Sequence, residues 1–431
     1  MNILFLHPNM PGQYKHLARV LGASGKHRIY FITKHKTAEI PGVTRVTYST
    51  PAPPKDAKPH RYLANAETAI RQGQQVWRVA HALKTQHEFT PDIVVCHPGL
   101  GDALFIKDLF PAAPVLSFCE FFYRATGADV GFDPADAVNE DDAPRVRIKN
   151  TVNLLSLEQM DWGIAPTSWQ LSLNPPEFRS KMSMIHDGID VELCRPNPDI
   201  RLTLPDGASF KKGDEVVTYI ARNFEPYRGF PTFMKAAEII LRERPNAHII
   251  AVGADAVSYG RKAPDGKTYR ELLMQDVSLP AERIHFTGTL PYDQLLNVFQ
   301  LSKAHLYLTY PFVLSWGMME AMACGVALVA SDTTPVREVV QDGVNGLLAD
   351  FFSPEDVAQK LIHLLQQPDD NAALRVAARN TIVQRYALND LLPLHVRLVE
   401  EIAAGHLPPP VAARIKEVQP LVPDAMWHPQ P

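Results

Sequence analysis

Apolar residues along the chain follow two alternating patterns. Short continuous apolar runs, as in 3–6 and 93–97, are separated by longer stretches in which apolar residues recur every three or four positions, as in 62–87. Continuous runs suit strands buried on both faces, and the longer stretches suit amphipathic helices. The alternation therefore predicts the α/β class, with doubly wound parallel sheets covered by helices. In the first half, strands are predicted at 3–6, 29–33, 43–48, 93–97, 115–118, 163–166 and 184–185.

A second alternating series follows a stretch rich in proline and glycine at 196–213. The chain has 431 residues, of which 46% are hydrophobic, and this is more than one compact core normally absorbs. We therefore expect two domains. In the second series, strands are predicted at 216–221, 248–252, 284–287, 306–309, 327–330 and 346–348. The predicted organisation is a first domain at 1–195, a linker at 196–213, a second domain at 214–386, a helix at 387–406 that crosses back to the first domain, and an extended tail at 407–431.

Charge and cysteine content restrict the class of protein and its location. The formal net charge is −4, which argues against a nucleic-acid-binding protein that depends on overall basicity. The cysteines Cys96, Cys119, Cys194 and Cys324 lie far apart without a Cys-x-x-Cys pair, so neither a disulfide framework nor a thiolate zinc site is expected. The first residues, with a short apolar run at 3–6 and no basic region before it, predict no leader segment, and no run of about 18 apolar residues is found in the sequence. We expect a cytoplasmic protein, and we expect any membrane contact to be peripheral, on the inner face.

Two ionisable residues follow buried strands in the first half. His97 ends the run at 93–97, and Glu120 comes just after the run at 115–118. The carboxyl ends of parallel strands face the ligand crevice, so these residues are candidates for chemistry. For His97 the alternative is a histidine that only hydrogen-bonds a loop. The dinucleotide fingerprint and the Walker A loop are both absent, which weakens the dehydrogenase and ATPase interpretations.

Two features of the second half could bind phosphate. Arg222 and Arg228 lie six positions apart across a turn, where two guanidinium groups can converge on one diphosphate; the alternative is that both are solvated. Further along, a short helix is expected with Ser315 as its N-cap, and helix N-termini attract anions. Gly317 permits close backbone approach. Glu320, one turn into this helix, could accept two ribose hydroxyls or could simply complement the helix dipole.

The residues around this helix resemble a known family. Glu320-Ala-Met-Ala-Cys-Gly325 is followed in order by Asp342-Gly343 and by Asn345-Gly346-Leu347-Leu348, as in the C-terminal signature of glycosyltransferase family 4. The likeness covers nearly the whole C-terminal half. The N-terminal half matches through a strand, loop and helix at 3–21, with Gly12 in the position of the glycine loop. The resemblance implies the GT-B fold, with two Rossmann-like domains facing across a cleft.

The resemblance also implies an activity and roles for residues. Members transfer a sugar from a nucleotide diphosphate sugar to an acceptor hydroxyl with retention at the anomeric carbon, in glycan or glycolipid biosynthesis. It implies no catalytic metal and no cofactor beyond the nucleotide sugar. Arg222 and Arg228 correspond to residues on the donor diphosphate, and His97 and Glu120 would orient the acceptor hydroxyl or the donor sugar while the leaving phosphate takes the proton. The donor-binding candidates are Gly12, Gly288, Ser315, Trp316, Gly317 and Glu320.

The sequence departs from the family pattern at two positions. Phe312 stands where the family usually has the first of two glutamates, so the role of that glutamate in contacting the donor sugar has no counterpart here. Glu120 stands where many members have histidine. Two alternatives to a transferase therefore remain: a nucleotide-sugar epimerase on the same fold, and a catalytically silent homologue that only binds a sugar nucleotide.

Charge is distributed unevenly along the chain. The first 90 residues contain 13 Lys and Arg but four Asp and Glu, a net charge of +9, which leaves −13 for the remainder. In the resembling family the N-terminal domain receives the acceptor. We therefore predict an anionic glycan or lipid-linked acceptor, or a peripheral contact with anionic lipid, through Arg61, Arg71, Arg78 and Lys84. The alternative is a solvated basic helix face.

Overall fold

The fold is described from a computed structural model that covers residues 1–52, 59–136, 138–366 and 371–409. From position 410 onward, the tail predicted at 407–431 lies outside the described residues. The chain divides into two compact units. One comprises Met1–Asp187 with the chain from Asn389 onward, and the other comprises Gly188–Leu388.

The first unit is built on a parallel sheet whose strands, within the described residues, follow the order β3-β2-β1-β4-β5-β6-β7. These strands are Asn2–Leu6 (β1), Arg28–Thr33 (β2), Val43–Thr47 (β3), Ile93–Cys96 (β4), Val115–Phe118 (β5), Trp162–Ala165 (β6) and Met182–Met184 (β7). The helices are Lys15–Ala23 (α1), Ala64–Gln86 (α2), Ile106–Leu109 (α3), Asp142–Lys149 (α4), Thr151–Glu158 (α5), Ser168–Leu173 (α6) and Pro176–Arg179 (α7).

The continuous apolar run of β1 reflects burial on both faces of this sheet. Ile3 and Phe5 pack in one core cluster, which also contains residues of the C-terminal helix Leu388–Ala403. Leu4 and Leu6 pack on the opposite face, in a cluster with α2. A strand that is covered on both faces needs apolar side chains at every position. An alternating apolar and polar pattern would bury polar side chains on one of its two faces.

The second unit contains another parallel sheet, which in the described part of the chain has the order β12-β11-β10-β13-β14-β15. Its strands, with a separate hairpin of β8 and β9, are Arg201–Thr203 (β8), Ser209–Lys211 (β9), Val216–Asn223 (β10), His248–Ala254 (β11), Ile284–Gly288 (β12), Ala304–Tyr307 (β13), Ala327–Ser331 (β14) and Leu347–Ala349 (β15). The helices are Phe230–Glu243 (α8), Tyr269–Leu273 (α9), Tyr292–Leu301 (α10), Trp316–Ala323 (α11), Thr334–Arg337 (α12), Pro354–Gln366 (α13) and Asn371–Arg385 (α14). None of the helices that the structure describes is long and apolar enough to cross a membrane.

The segment predicted as a linker, 196–213, is instead a folded part of the second unit. It contains the β8–β9 hairpin, whose Phe210 is buried in a core cluster with Ile250 and Val252 of β11. Gly207 lies in the hairpin turn at φ +92°, a conformation that favours glycine. The glycine and proline content therefore marks a tight turn, and the unit boundary lies earlier, between residues 187 and 188.

Each sheet has one point at which the strand order reverses direction. In the first sheet this switch point lies between β1 and β4, and in the second it lies between β10 and β13. Ligands of open α/β sheets bind outside the carboxyl ends of the strands at such points. A ligand site is therefore expected among the residues that follow these four strands.

Candidate functional site

A polar cluster lies at the switch point of the first unit. His7 follows β1 and His97 follows β4, and the centroids of their rings are 6.1 Å apart. Nε2 of His97 is 3.3 Å from Oε2 of Glu120, which follows β5, and Gln13 donates from Nε2 to Oε1 of Glu120 at 3.2 Å. The structure thus brings together His97 and Glu120, two residues selected from the sequence, and adds His7 and Gln13, which were not.

The hydrogen bonds of His97 define its role in this cluster. The backbone N–H of Gly99 donates to Nδ1 of His97 at 3.2 Å, so Nδ1 acts as an acceptor. In the neutral ring the proton is then on Nε2, which donates to Glu120. His97 is therefore a hydrogen-bond donor to the carboxylate and has no lone pair available for a substrate proton.

The same contacts determine the charge states of the cluster. Burial by itself raises the pKa of Glu120, but the hydrogen bonds from His97 and Gln13 outweigh it and hold this pKa below the usual range. Glu120 is therefore ionised at neutral pH and is a weak base. Burial and the neighbouring His97 lower the pKa of His7 to about 4, so His7 is neutral.

Gly12 supports this cluster sterically. It has φ +54°, and a Cβ at this position would lie 2.6 Å from Cε1 of His7. Any side chain there would displace the His7 ring. The structure therefore places Gly12 in the first unit, beside His7, and the donor-binding role of Gly12 stays a prediction.

Arg228 connects the two strands at the switch point of the second unit. It lies in the turn after β10, and its Nη1 donates to Oγ1 of Thr309 at 2.8 Å and to the hydroxyl of Tyr307 at 3.3 Å, both beside the end of β13. Its guanidinium carbon is 5.5 Å from the ring centroid of Tyr259. The cation is thus held in one orientation before any ligand arrives.

Arg222 differs from Arg228, although the sequence groups them. It lies in β10 with an exposed side chain, which makes no ion pair or side-chain hydrogen bond to the other described residues. Exposed arginine side chains lose considerable rotamer freedom when they bind a ligand. Arg228 is therefore the preorganised member of the pair, and Arg222 is an exposed cation without such contacts among the described residues.

The N-terminus of α11 has the predicted cap. Oγ of Ser315 accepts the backbone N–H of Gly317 at 3.2 Å, and the partly exposed Trp316 begins the helix. A Cβ on Gly317 would make only ordinary contacts, the nearest to Oγ of Ser315 at 3.5 Å. Packing within the protein therefore does not require glycine at 317, and close approach of a ligand remains the reason to expect it.

Glu320 has a specific partner within the second unit. The hydroxyl of Tyr292, in the first turn of α10, donates to Oε1 of Glu320 at 2.6 Å. Burial and the carboxylate of Glu320 both raise the pKa of Tyr292 above its usual value. Tyr292 is not predicted from the sequence, because nothing in the local pattern relates it to a residue 28 positions later. The other candidate, Gly288, ends β12 at φ +69° with open space around the position of a Cβ.

Phe312, the residue that departs from the family pattern, is part of an aromatic cluster. It is 5% exposed, and its ring centroid lies 4.9 Å from that of Tyr259 and 5.7 Å from that of Tyr227. Tyr310 stacks on Tyr227 at 4.5 Å. An apolar ring surface therefore occupies the position where the family usually has a carboxylate.

The basic residues of the first unit are less available than the sequence suggests. Arg61 forms an ion pair with Asp141, and Arg71 pairs with Glu67 on the same helix at 2.5 Å. Arg78 and Lys84 are exposed on α2. About half of the predicted positive patch is thus neutralised by neighbouring carboxylates.

Buried histidines predict that the protein is less stable in acid. Burial lowers the pKa of His7 and His186 to about 4 and that of His305 to about 3. Below pH 6.5 the unfolded chain therefore binds more protons than the folded chain, and the free energy of unfolding decreases as the pH decreases. Asp102 acts in the opposite direction, because burial raises its pKa to about 6. We expect the free energy of unfolding in urea to be roughly 3–5 kcal/mol lower at pH 5 than at pH 7, from about 1.4 kcal/mol per pH unit per group; an unchanged value would contradict this assignment.

Two family models match most of the chain. The model described as "Glycosyl transferase family 4 group" matches residues 25–194, and the model described as "Glycosyl transferases group 1" matches residues 204–381. A curated relative, the D-inositol 3-phosphate glycosyltransferase of Thermobispora bispora, is 25% identical over 211 residues, which are 47% of this chain and 46% of the relative. The matched part of the chain thus spans about half the length of the curated relatives.

Solved structures with the same fold cover nearly the whole chain. The sucrose-phosphate synthase of Thermosynechococcus elongatus matches with a TM-score of 0.71 at 17% identity, over 94% of this chain and 100% of that structure. HepE of Anabaena, in complex with UDP-glucose, matches with a TM-score of 0.63 at 16% identity over 94% and 100%. At these identities the likeness establishes the fold alone, and the predicted GT-B fold class is confirmed. The two family models show that the chain belongs to the group 1 glycosyltransferases of family 4.

Proposed function

We propose that this protein is a retaining glycosyltransferase that moves a sugar from a nucleotide diphosphate sugar to an acceptor hydroxyl, in the synthesis of a glycan or glycolipid. The proposal rests on the hydrogen bonds from the guanidinium group of Arg228 to Tyr307 and Thr309, which hold this cation at the switch point of the second sheet. A fixed cation at the carboxyl ends of parallel strands is suited to a diphosphate. The HepE structures hold UDP and UDP-glucose, which makes a uridine diphosphate sugar the first donor to test.

On the donor side, the second unit supplies charge and orientation. Arg228 and the N-terminus of α11 at Ser315 stabilise the negative charge that develops on the leaving diphosphate. Glu320, oriented by Tyr292, accepts the ribose hydroxyls. We propose that these groups act without a metal ion or another cofactor, because they already provide the positive potential that the leaving group needs.

On the acceptor side, the first unit supplies a carboxylate in a defined orientation. Glu120 is ionised, and His97 and Gln13 each donate to one of its oxygens, which leaves its remaining lone pairs to accept a substrate hydroxyl. His97 cannot serve as a base, and Glu120 is a weak one. The acceptor proton therefore passes to the leaving phosphate, and Glu120 holds the hydroxyl in position for attack.

We propose that the acceptor carries a negative charge, either on a glycan or on a lipid. Two observations support this: Arg78 and Lys84 remain exposed on α2, and the name of the curated relative includes D-inositol 3-phosphate, a phosphorylated polyol. In an assay of sugar transfer, pairs of acceptors with and without a phosphate group, supplied free or in anionic vesicles, separate a charged acceptor from a contact with the lipid surface.

The proposed function is tested by binding and turnover together. Calorimetry with a panel of nucleoside diphosphates is expected to show binding, and Glu320→Ala is expected to weaken it by about tenfold because a charge-assisted hydrogen bond to the ribose is lost. NMR of the product should show the anomeric configuration of the donor, and EDTA should not change the rate. Free sugar that is formed without an acceptor and has one stereocentre inverted relative to the donor sugar would indicate an epimerase, and binding without turnover on any acceptor would indicate a silent homologue. An unchanged affinity in Glu320→Ala would refute the placement of the ribose.

A further inference from the structure

A buried carboxylate, that of Glu225, lies between Arg222 and Arg228 in the sequence. Glu225 is 0% exposed, and it accepts hydrogen bonds from three successive backbone N–H groups. Ser258 donates to both of its oxygens at 3.2 Å, and Tyr259 and Gly260 donate to Oε2 at 3.0 and 3.1 Å. A run of backbone amides that converges on one anion is a common way to bind phosphate, and here it is filled by a side chain of the protein itself.

These hydrogen bonds attach a loop to the end of β10. A buried carboxylate is costly unless its oxygens are hydrogen-bonded, and bonds between an ionised group and backbone amides are among the stronger ones. Nδ2 of Asn223 also donates to Oγ of Ser258 at 2.5 Å. Residues 258–260, in the loop after β11, are therefore attached to the end of β10 by hydrogen bonds to two side chains, Asn223 and Glu225.

The attached loop places the ring of Tyr259 against Arg228. The guanidinium carbon of Arg228 lies 5.5 Å from the ring centroid of Tyr259, and the same ring lies 4.9 Å from that of Phe312. A cation over an aromatic face is attracted to it, and the contact also restricts the rotation of the guanidinium group. The position of this ring depends on the backbone amides of 258–260, which Glu225 holds.

We propose that Glu225 is a positioning residue: by holding residues 258–260 it keeps Tyr259 against Arg228 and so orients Arg228 toward the diphosphate of the donor. The identity of this ligand rests on the proposed function, whereas the attachment of the loop does not. Glu225 touches neither the donor nor the acceptor, and it acts only through Tyr259 and Arg228.

The test compares Glu225→Gln with a matched control, Glu238→Gln. Glu238 also accepts a backbone N–H, from Ser278 at 2.7 Å, but in another part of the second unit. In Glu225→Gln the side chain loses its charge and one of its two accepting oxygens, so the bonds from the amides of 258–260 become weaker and the loop opens more often. Arg261 and Lys262 follow the loop and are exposed, and trypsin cleavage after them, followed by mass spectrometry, should become about tenfold faster than in the parent. In Glu238→Gln the cleavage rate at this loop should be unchanged.

The kinetic readout separates a positioning role from a structural one. In Glu225→Gln the KM for the donor should rise and kcat should fall, each by about tenfold, because Arg228 contacts the diphosphate both in the bound donor and as its charge develops, with thermal unfolding still cooperative. If Glu225→Gln does not fold, Tyr259→Leu leaves the carboxylate intact and should raise the donor KM in the same direction. A loop as resistant to trypsin as in the parent, or a donor KM unchanged in both variants, would overturn the proposal. Absence of nucleotide binding by the parent would refute the proposed function, while the trypsin result would still decide whether Glu225 holds the loop.

Discussion

Replacing Arg228 with alanine is expected to lower kcat for sugar transfer by about 10²–10³-fold, the loss that follows removal of one preorganised electrostatic group from an active site. The guanidinium of Arg228 is already oriented by Thr309, Tyr307 and Tyr259, so little reorganisation is needed when charge develops on the leaving diphosphate. Steady-state kinetics with saturating acceptor, together with the melting temperature of the variant, measure the effect apart from any loss of folding.

Three further variants define how specific that loss is. Arg228→Lys keeps the charge but not the forked geometry, so its kcat should fall between that of the parent and that of Arg228→Ala. Arg222→Ala should lower kcat by only about tenfold, because an exposed arginine gains less from binding the ligand when it must first lose rotamer freedom. Arg242→Ala, on the exposed face of α8, should behave like the parent. Equal kinetics for Arg228→Ala and Arg242→Ala would show that Arg228 does not bind the donor.

Replacing Glu120 with glutamine is expected to lower kcat by about a hundredfold and to leave nucleoside diphosphate affinity unchanged. The amide has the same shape, but it has no charge and only one accepting oxygen, so it cannot hold the acceptor hydroxyl while His97 and Gln13 both donate to it. Because the pKa of Glu120 is held below its usual range, kcat of the parent should not fall between pH 8 and pH 6 on account of this group. Turnover across this pH range and calorimetry with the nucleotide provide the measurements.

A double-mutant cycle tests whether Glu120 and His97 act as one unit. If they do, Glu120→Gln combined with His97→Gln should cost little more than either change alone. Glu67→Gln, which removes a surface carboxylate paired with Arg71 on α2, is the matched control and should keep the kcat of the parent. If the fold losses of kcat multiply in the double variant, so that the changes in activation free energy add, His97 acts independently of Glu120.

Much of the fold follows from local pattern. The strand predicted at 115–118 has the observed bounds, and the strand predicted at 327–330 differs by one residue from Ala327–Ser331. Such strands can be recognised from the sequence because a strand that is covered on both faces is apolar at every position. The predicted linker at 196–213 failed for the opposite reason: glycine and proline mark a change of chain direction, and they do so equally in a linker and in a hairpin that packs on a core.

Part of the candidate site was also accessible from the sequence. His97 and Glu120 were selected because they follow buried strands, and the structure shows them 3.3 Å apart between Nε2 and Oε2. The same rule would have selected His7 at the end of β1. No rule would have selected Glu225, because its partners Ser258, Tyr259 and Gly260 lie in a loop more than 30 residues later.

The sequence by itself determined the α/β class, the two series of strands, the family and most of the residue types that the site contains, because each of these is recorded in local periodicity or in motif order. Only the tertiary structure decided which residues act together: His97 with Glu120, Glu320 with Tyr292, and Glu225 with the backbone of 258–260. These contacts join strand ends and loops that are distant in the chain. They arise from the strand order and side-chain packing of each sheet, which a local pattern does not encode.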